Sequence, residues 1–216
     1  MGSGHSALPP TPENLRSFSI TFHWIRTLRV VHATPRVFTL IRKAIENNWT
    51  KGITQVINNK GAYDIEIEGR PFAHGSNGEG MLCHILEYLI ADGWRLTLRS
   101  DMSRQIDFST WFFEQSSKWK QTAKIAAVSL RGLEDLHIIH GGSAFVEAIK
   151  RALHIKYGRQ GNDELFMNSC MLFLLKQLNK DGWKASGSLD VSAKHVRASD
   201  GPDFPIDVHT IFFTKK

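Results

Sequence analysis

The chain has 216 residues, 42% apolar and 10% aromatic, which is enough to build a packed core and excludes a collagen-like or wholly disordered chain. Its formal charge of +6 contains no block of five like charges, so a basic arm is excluded, and no apolar run approaches membrane-spanning length. The basic balance remains compatible with an acidic protein, a nucleic acid or an anionic headgroup as partner.

Residues 1–15 combine Gly, Ser, His and Pro without a basic or an apolar run. They are expected to be a lead-in outside the fold, disordered or left from cloning, and not a signal peptide. Residues 17–32, SFSITFHWIRTLRVVH, alternate well enough for one long strand or for two strands kinked near Ile25–Arg26. Thr34-Pro35 then opens a helix, because Thr is a good N-cap and Pro suits the first helical position. Val37, Phe38, Ile41, Ala44, Ile45 and Trp49 give that helix an apolar stripe. Each such buried side chain contributes about 1.5–3 kcal/mol before entropy. Residues 53–60 read as a connector.

Tyr63, Ile65 and Ile67 alternate with Asp64, Glu66 and Glu68, which predicts a strand with one wet face. Residues 69–80 are a turn-prone run of glycine and polar residues. GSNGEG within it matches neither dinucleotide nor P-loop phosphate signatures. A second helix is expected over Met81–Ala91, with Gly93 as its left-handed cap. A strand from Trp94 to Ser100 would point Trp94, Leu96 and Leu98 inward, and another would cover Asp107–Glu114.

After a linker, QSSKWKQT, the pattern repeats. Asp92-Gly93-Trp94 matches Asp181-Gly182-Trp183, 89 residues on, and Asp101 and Ser103 fall on Asp190 and Ser192 at the same spacing. Ile106-Asp107 and Thr110-x-Phe112-Phe113 fall on Ile206-Asp207 and Thr210-x-Phe212-Phe213, 100 residues on. Val30-Val31-His32 matches Ile138-Ile139-His140 at 108, with Ser143 in the cap role of Thr34. The second copy therefore lacks a middle strand and carries a longer loop, residues 192–203. The reading is an α+β protein, a tandem pseudo-symmetric duplication of a β-α-β-α-β-β unit, with helices on one face of an antiparallel or mixed sheet. Its bounds are 16–115 for repeat 1, 116–123 for the linker and 124–216 for repeat 2. The two sheets are expected to join or to pack tightly, because halves of this size are marginal alone.

Cys83 and Cys170 lie in helix stripes of separate repeats and read as buried thiols in an intracellular, cytoplasmic or nuclear protein. His32 and His140 end matched strands just before helix N-termini, where an anion could be held. Asp101 and Ser103 with Asp190 and Ser192 could line a shared site, although turn chemistry alone accounts for the composition. Arg99 flanks the first pair. Lys194, His195 and Arg197 stand on the longer loop, beside acidic residues. His137 and His140, three apart on a strand, would face opposite sides, and no other metal-ligand spacing is present. No cofactor signature and no nucleophile motif occurs. The expectation is a non-enzymatic binding or adaptor domain for an acidic protein segment or another anion. The alternatives are a nucleic-acid-binding module, or an enzyme using a His/Asp acid–base pair drawn from His140, Asp190 and His195.

Overall fold

The structure, a computed structural model, describes residues 16–23, 25–73, 76–100, 107–115, 122–131, 135–157, 164–196 and 204–215. Its first half runs β1 (Ser17–His23), β2 (Thr27–Val31), α1 (Pro35–Asn48), β3 (Ile53–Asn59), β4 (Ala62–Ile67), α2 (Gly78–Ala91), β5 (Trp94–Ser100) and β6 (Asp107–Gln115). The second half runs β7 (Lys124–Arg131), β8 (Asp135–Ile139), α3 (Ser143–Tyr157), α4 (Glu164–Lys180), β9 (Trp183–Val196) and β10 (Phe204–Lys215). The class is α+β, with helices packed on two antiparallel sheets.

The six-stranded sheet has the order β3-β4-β2-β1-β6-β5, and the four-stranded sheet β8-β7-β10-β9. The inner order β2-β1-β6-β5 thus recurs as β8-β7-β10-β9, and among the described residues β3 and β4 are the strands without counterparts. Finer details recur with it. The Thr21 and Thr110 hydroxyls meet at 3.1 Å across β1 and β6, and those of Thr210 and Ser129 at 3.1 Å across β10 and β7. Asp92 pairs with Arg36 on α1, and Asp181 pairs with Arg151 on α3, the arginines standing at different turns of their helices. Gly93 and Gly182 both take positive φ, 92° and 84°, after their helices.

Alternation on β1 buries Phe18, Ile20 and Phe22 on the face that carries α1 and α2. Thr34 caps α1 by accepting from the Val37 amide at 3.3 Å, as the Thr-Pro pair implies. The second sheet is buried on both faces. Ala126, Val128 and Phe213 pack with Phe145, Ile149, Leu174 and Leu178 of α3 and α4. The opposite face, with Ile125, Ala127, Leu189 and Phe212, joins the first half's core. Trp111 sits between the halves, edge-on to Phe22 at 5.0 Å and to Phe212 at 5.4 Å. The layers therefore run sheet, helices, sheet, helices.

Several sequence expectations need correction. Residues 17–32 contain the antiparallel pair β1 and β2, so each repeat opens with two strands, and the first half has six strands where the β-α-β-α-β-β unit allows four. The expected connector at 53–60 is β3, an edge strand paired with β4. Almost all of it is exposed, so it carries no alternation to detect. Leu98 points outward, 56% exposed, because the register shifts between Leu96 and Leu98 and flips the remainder of β5. The same shift recurs on β9 opposite Phe212 and Phe213. Gly142, not Ser143, accepts the first helical bond of α3, from Val146 at 3.2 Å. Helix α2 begins at Gly78 rather than Met81. Residues 192–196 of the expected loop at 192–203 are strand, since β9 reaches Val196 opposite Phe204; the rest of that loop lies outside the described residues. Of the two arrangements expected for the sheets, joined or tightly packed, the structure has the second: they remain separate and pack through α2.

Candidate functional site

The larger of two clefts that draw on both halves lies beside α2. It has a volume of about 430 Å³ and is lined by the N-terminal half of α2 and the end of β8, with Asn48 at its rim. Three histidines meet there: His84, His137 and His140. The facing-apart expectation for His137 and His140 fails because β8 ends at Ile139 and His140 adopts φ 56°, which turns it out of the strand's alternation. The His84 and His140 rings lie 4.5 Å apart. His84 Nδ1 is 2.9 Å from Glu87 Oε2, while Glu87 Oε1 accepts from the Ile125 amide at 3.1 Å. Glu87 is thus fixed to β7 and orients the imidazole beside it. Burial lowers the proton affinity of His140, neighbouring His84 lowers it further, and Glu87 opposes both.

Glu79 completes the floor of the cleft. It is 3% exposed and lies 3.5 Å from the Ser129 hydroxyl, which in turn accepts from Thr210. Cys83, one turn along α2, is buried; burial first, then Glu87 and Glu79, push its thiol well above the ordinary range. The cleft offers imidazoles, amides and a carboxylate, and neither Arg nor Lys lines it. Among the described residues no group of three or more His, Cys, Asp or Glu is placed to hold a metal ion.

The sequence-predicted residues are dispersed. His32 stands at the β2–β4 junction, φ 59°, its amide donating to the Gly61 carbonyl at 2.8 Å. His140 belongs to the cleft between the halves. The Arg99 guanidinium donates to the Ser188 hydroxyl across a groove of about 360 Å³ between β5 and β9, lined also by Thr97, Ser100 and Ser186. Asp190, Ser192, Lys194 and His195 belong to the far part of β9. Asp101, Ser103 and Arg197 lie outside the described residues. Sequence reasoning missed His84 and Glu87. Their i, i+3 spacing on a helix was the available signal.

A second surface is an edge rather than a cavity. β3 is the outer strand of the larger sheet and reads ITQVINN, without a charged residue. Val56 and Ile57 are 37% and 38% exposed. Val56 pairs with buried Ile65 and so leans to the helix side; Ile57 pairs with Asp64 and leans to the other. Exposed Lys51 and Lys60 stand just beyond the two ends.

These features define a layered α+β protein with an inter-half histidine cleft and one uncharged sheet edge. A model of a domain family that carries a serial designation and no stated activity matches residues 16–114, the segment from β1 to near the end of β6. No curated protein and no solved structure matches the chain. Among the described residues no helix is long and apolar enough to cross a membrane.

Proposed function

We propose that the chain is a non-enzymatic binding domain that captures an extended, acidic segment of a partner protein by adding it as a strand along β3. The supporting observation is the edge itself. Natural proteins blunt long sheet edges with charge, proline or bulges, because an open row of N–H and C=O groups templates pairing. β3 has seven residues and no charge, and its one register irregularity is confined to Ile53/Gln55 at its start. Main-chain pairing would supply affinity, and Val56 and Ile57 would receive alternate side chains of the guest strand. Lys51 and Lys60 favour acidic residues towards its two ends. Among the described residues the second sheet has no counterpart of this hairpin, so the shared four-strand topology does not require it. We also propose that the chain arose by tandem copying of one unit, with bounds near 16–115 and 124–216.

The test is fluorescence anisotropy with labelled ten-residue peptides of alternating valine and threonine, ended by glutamates or by lysines. The acidic-ended peptide should bind, the basic-ended one should not, and Val56→Lys/Ile57→Lys should abolish binding. Equal affinity for both peptides, or retention by that variant, sinks the reading. Capture of single-stranded oligonucleotide with a steep loss of affinity on adding salt, in place of peptide, would point to nucleic acid instead.

One arrangement favours a second reading. Glu87 orients His84 against His140 in an open cleft, the geometry of an acid–base pair. A screen of esters and phosphoesters, in which wild-type turnover disappears in His84→Gln, would support it. No turnover above buffer would dispose of it.

A further inference from the structure

The halves meet through unlike surfaces. The first half offers the outer stripe of α2: Glu79 and Glu87 reach Ser129 and the Ile125 amide, while Gly80 and His84 pack on His140. Cys83 lies between them on the same helical stripe. The second half offers the helix-free face of its sheet. A contact between unlike surfaces leaves the complementary one open on each half. Open here are the outer stripe of α4 and the helix-free face of the six-stranded sheet. We infer that a second copy of this chain joins them: α4 of one molecule docks on the helix-free face of the next, repeating the intrachain packing in head-to-tail chains.

Three observations carry this. The first is exposure. The position on α4 that corresponds to buried Cys83 is Leu172, and the position on β5 that corresponds to Gly187 is Leu98. At 69% and 56%, they are the two most exposed large apolar side chains among the described residues. A single exposed leucine is ordinary on a protein surface; the weight here lies in position, because each stands at the point that corresponds to a contact made within the chain, by Cys83 on one side and Gly187 on the other.

The second is shape. Within the chain, Leu96 lies over Gly187 so closely that a Cβ there would come 2.5 Å from Leu96 Cδ2. The corresponding intermolecular pair is Ala185 with Leu98. Ala185 is exposed and pairs with Phe213 as Leu96 pairs with Phe113. A large residue over a small one becomes a small one over a large one, and the combined bulk stays similar.

The third is charge. Glu87 corresponds to Lys176, which is exposed on the Leu172 stripe. Ile125, whose amide Glu87 reaches, corresponds to Ser17, and the cross-strand neighbour of Ser17 is exposed Glu114, itself beside Arg95. Lys176 of one molecule therefore comes to Glu114 of the next, whereas the second half has uncharged Thr214 in that place. The residue that changed sign on the helix meets a new carboxylate on the sheet.

Sedimentation velocity from low to high micromolar protein tests the inference. The weight-average mass should rise continuously with concentration and reach no fixed end. Leu172→Asp and Leu98→Asp should each be monomeric with unchanged thermal midpoints, since both positions are exposed. Mixed together they should form a one-to-one dimer, because each keeps the surface the other has lost. Lys176→Glu should weaken growth, and Glu114→Lys should restore it. A wild-type chain that stays monomeric throughout, a mixture no larger than its components, or a closed dimer indifferent to both aspartates would overturn it.

Discussion

His32 and His140 share one backbone conformation, φ 59° and 56°, and among the described residues they are the non-glycine residues with positive φ. Each directly follows the second strand of its half and precedes a helix, α1 or α3. The chain must leave the sheet and turn onto its face within two or three residues, and a left-handed residue provides that turn. Histidine tolerates the region better than branched residues do, at some cost in strain.

Substitution at these positions should therefore follow backbone rather than side-chain chemistry. His32→Val and His140→Val should each lose about 1–3 kcal/mol, while His→Gly should stay within about 1 kcal/mol of wild type, relief of strain offsetting a freer unfolded chain. Urea unfolding measures both. A valine variant as stable as the glycine variant would remove the strain argument.

His140 should also make stability fall in mild acid. Its ordinary value is 6.5, and in the fold burial and His84 lower it against the pull of Glu87. As pH drops below 6.5 the unfolded chain takes up a proton that the folded chain resists, so stability declines until the folded value is passed. His140→Asn keeps a residue that accepts the left-handed turn but removes the titration. Its urea midpoint should fall less between pH 7.5 and 5.5 than that of wild type. Equal falls in both proteins would show that His140 does not contribute.

Gly78 opens α2 against the Pro71 carbonyl, and a Cβ added there would overlap that oxygen and its carbon. The obstacle is backbone, already accepting from the Ser76 hydroxyl, and cannot swing aside. Gly78→Ala should cost about 1–3 kcal/mol. Thermal denaturation reads the loss directly, and a neutral result would mean that the 69–77 segment shifts freely.

Trp111→Ala should cost about 3–5 kcal/mol, because the indole is fully buried and packs on both Phe22 and Phe212. If the halves are one cooperative unit, the transition should remain single and move as a whole. Two separated transitions by calorimetry would mean that the halves unfold independently.

The recurrence of Asp-Gly-Trp and Thr-x-Phe-Phe made the paired architecture legible, and Thr34-Pro35 marked the start of a helix. What escaped was set by contacts between distant segments. β3 shows no alternation because no face of it is buried. Leu98 fits an inward pattern until a register shift, invisible in composition, turns it out. The His84–Glu87–His140 cluster depends on α2 meeting β7 and β8, elements some 40–60 residues downstream. Neither the stacking of one half's helices on the other's sheet nor the cleft it encloses has a local signature.

Sandwiching α2 between two sheets also has a consequence during synthesis. The helix can settle on the larger sheet once β6 has emerged from the ribosome, yet the flank bearing Cys83 stays wet until Phe212 follows. For that interval the nascent protein displays a thiol, two carboxylates and an unsatisfied apolar stripe, which only its own C-terminal strands will cover.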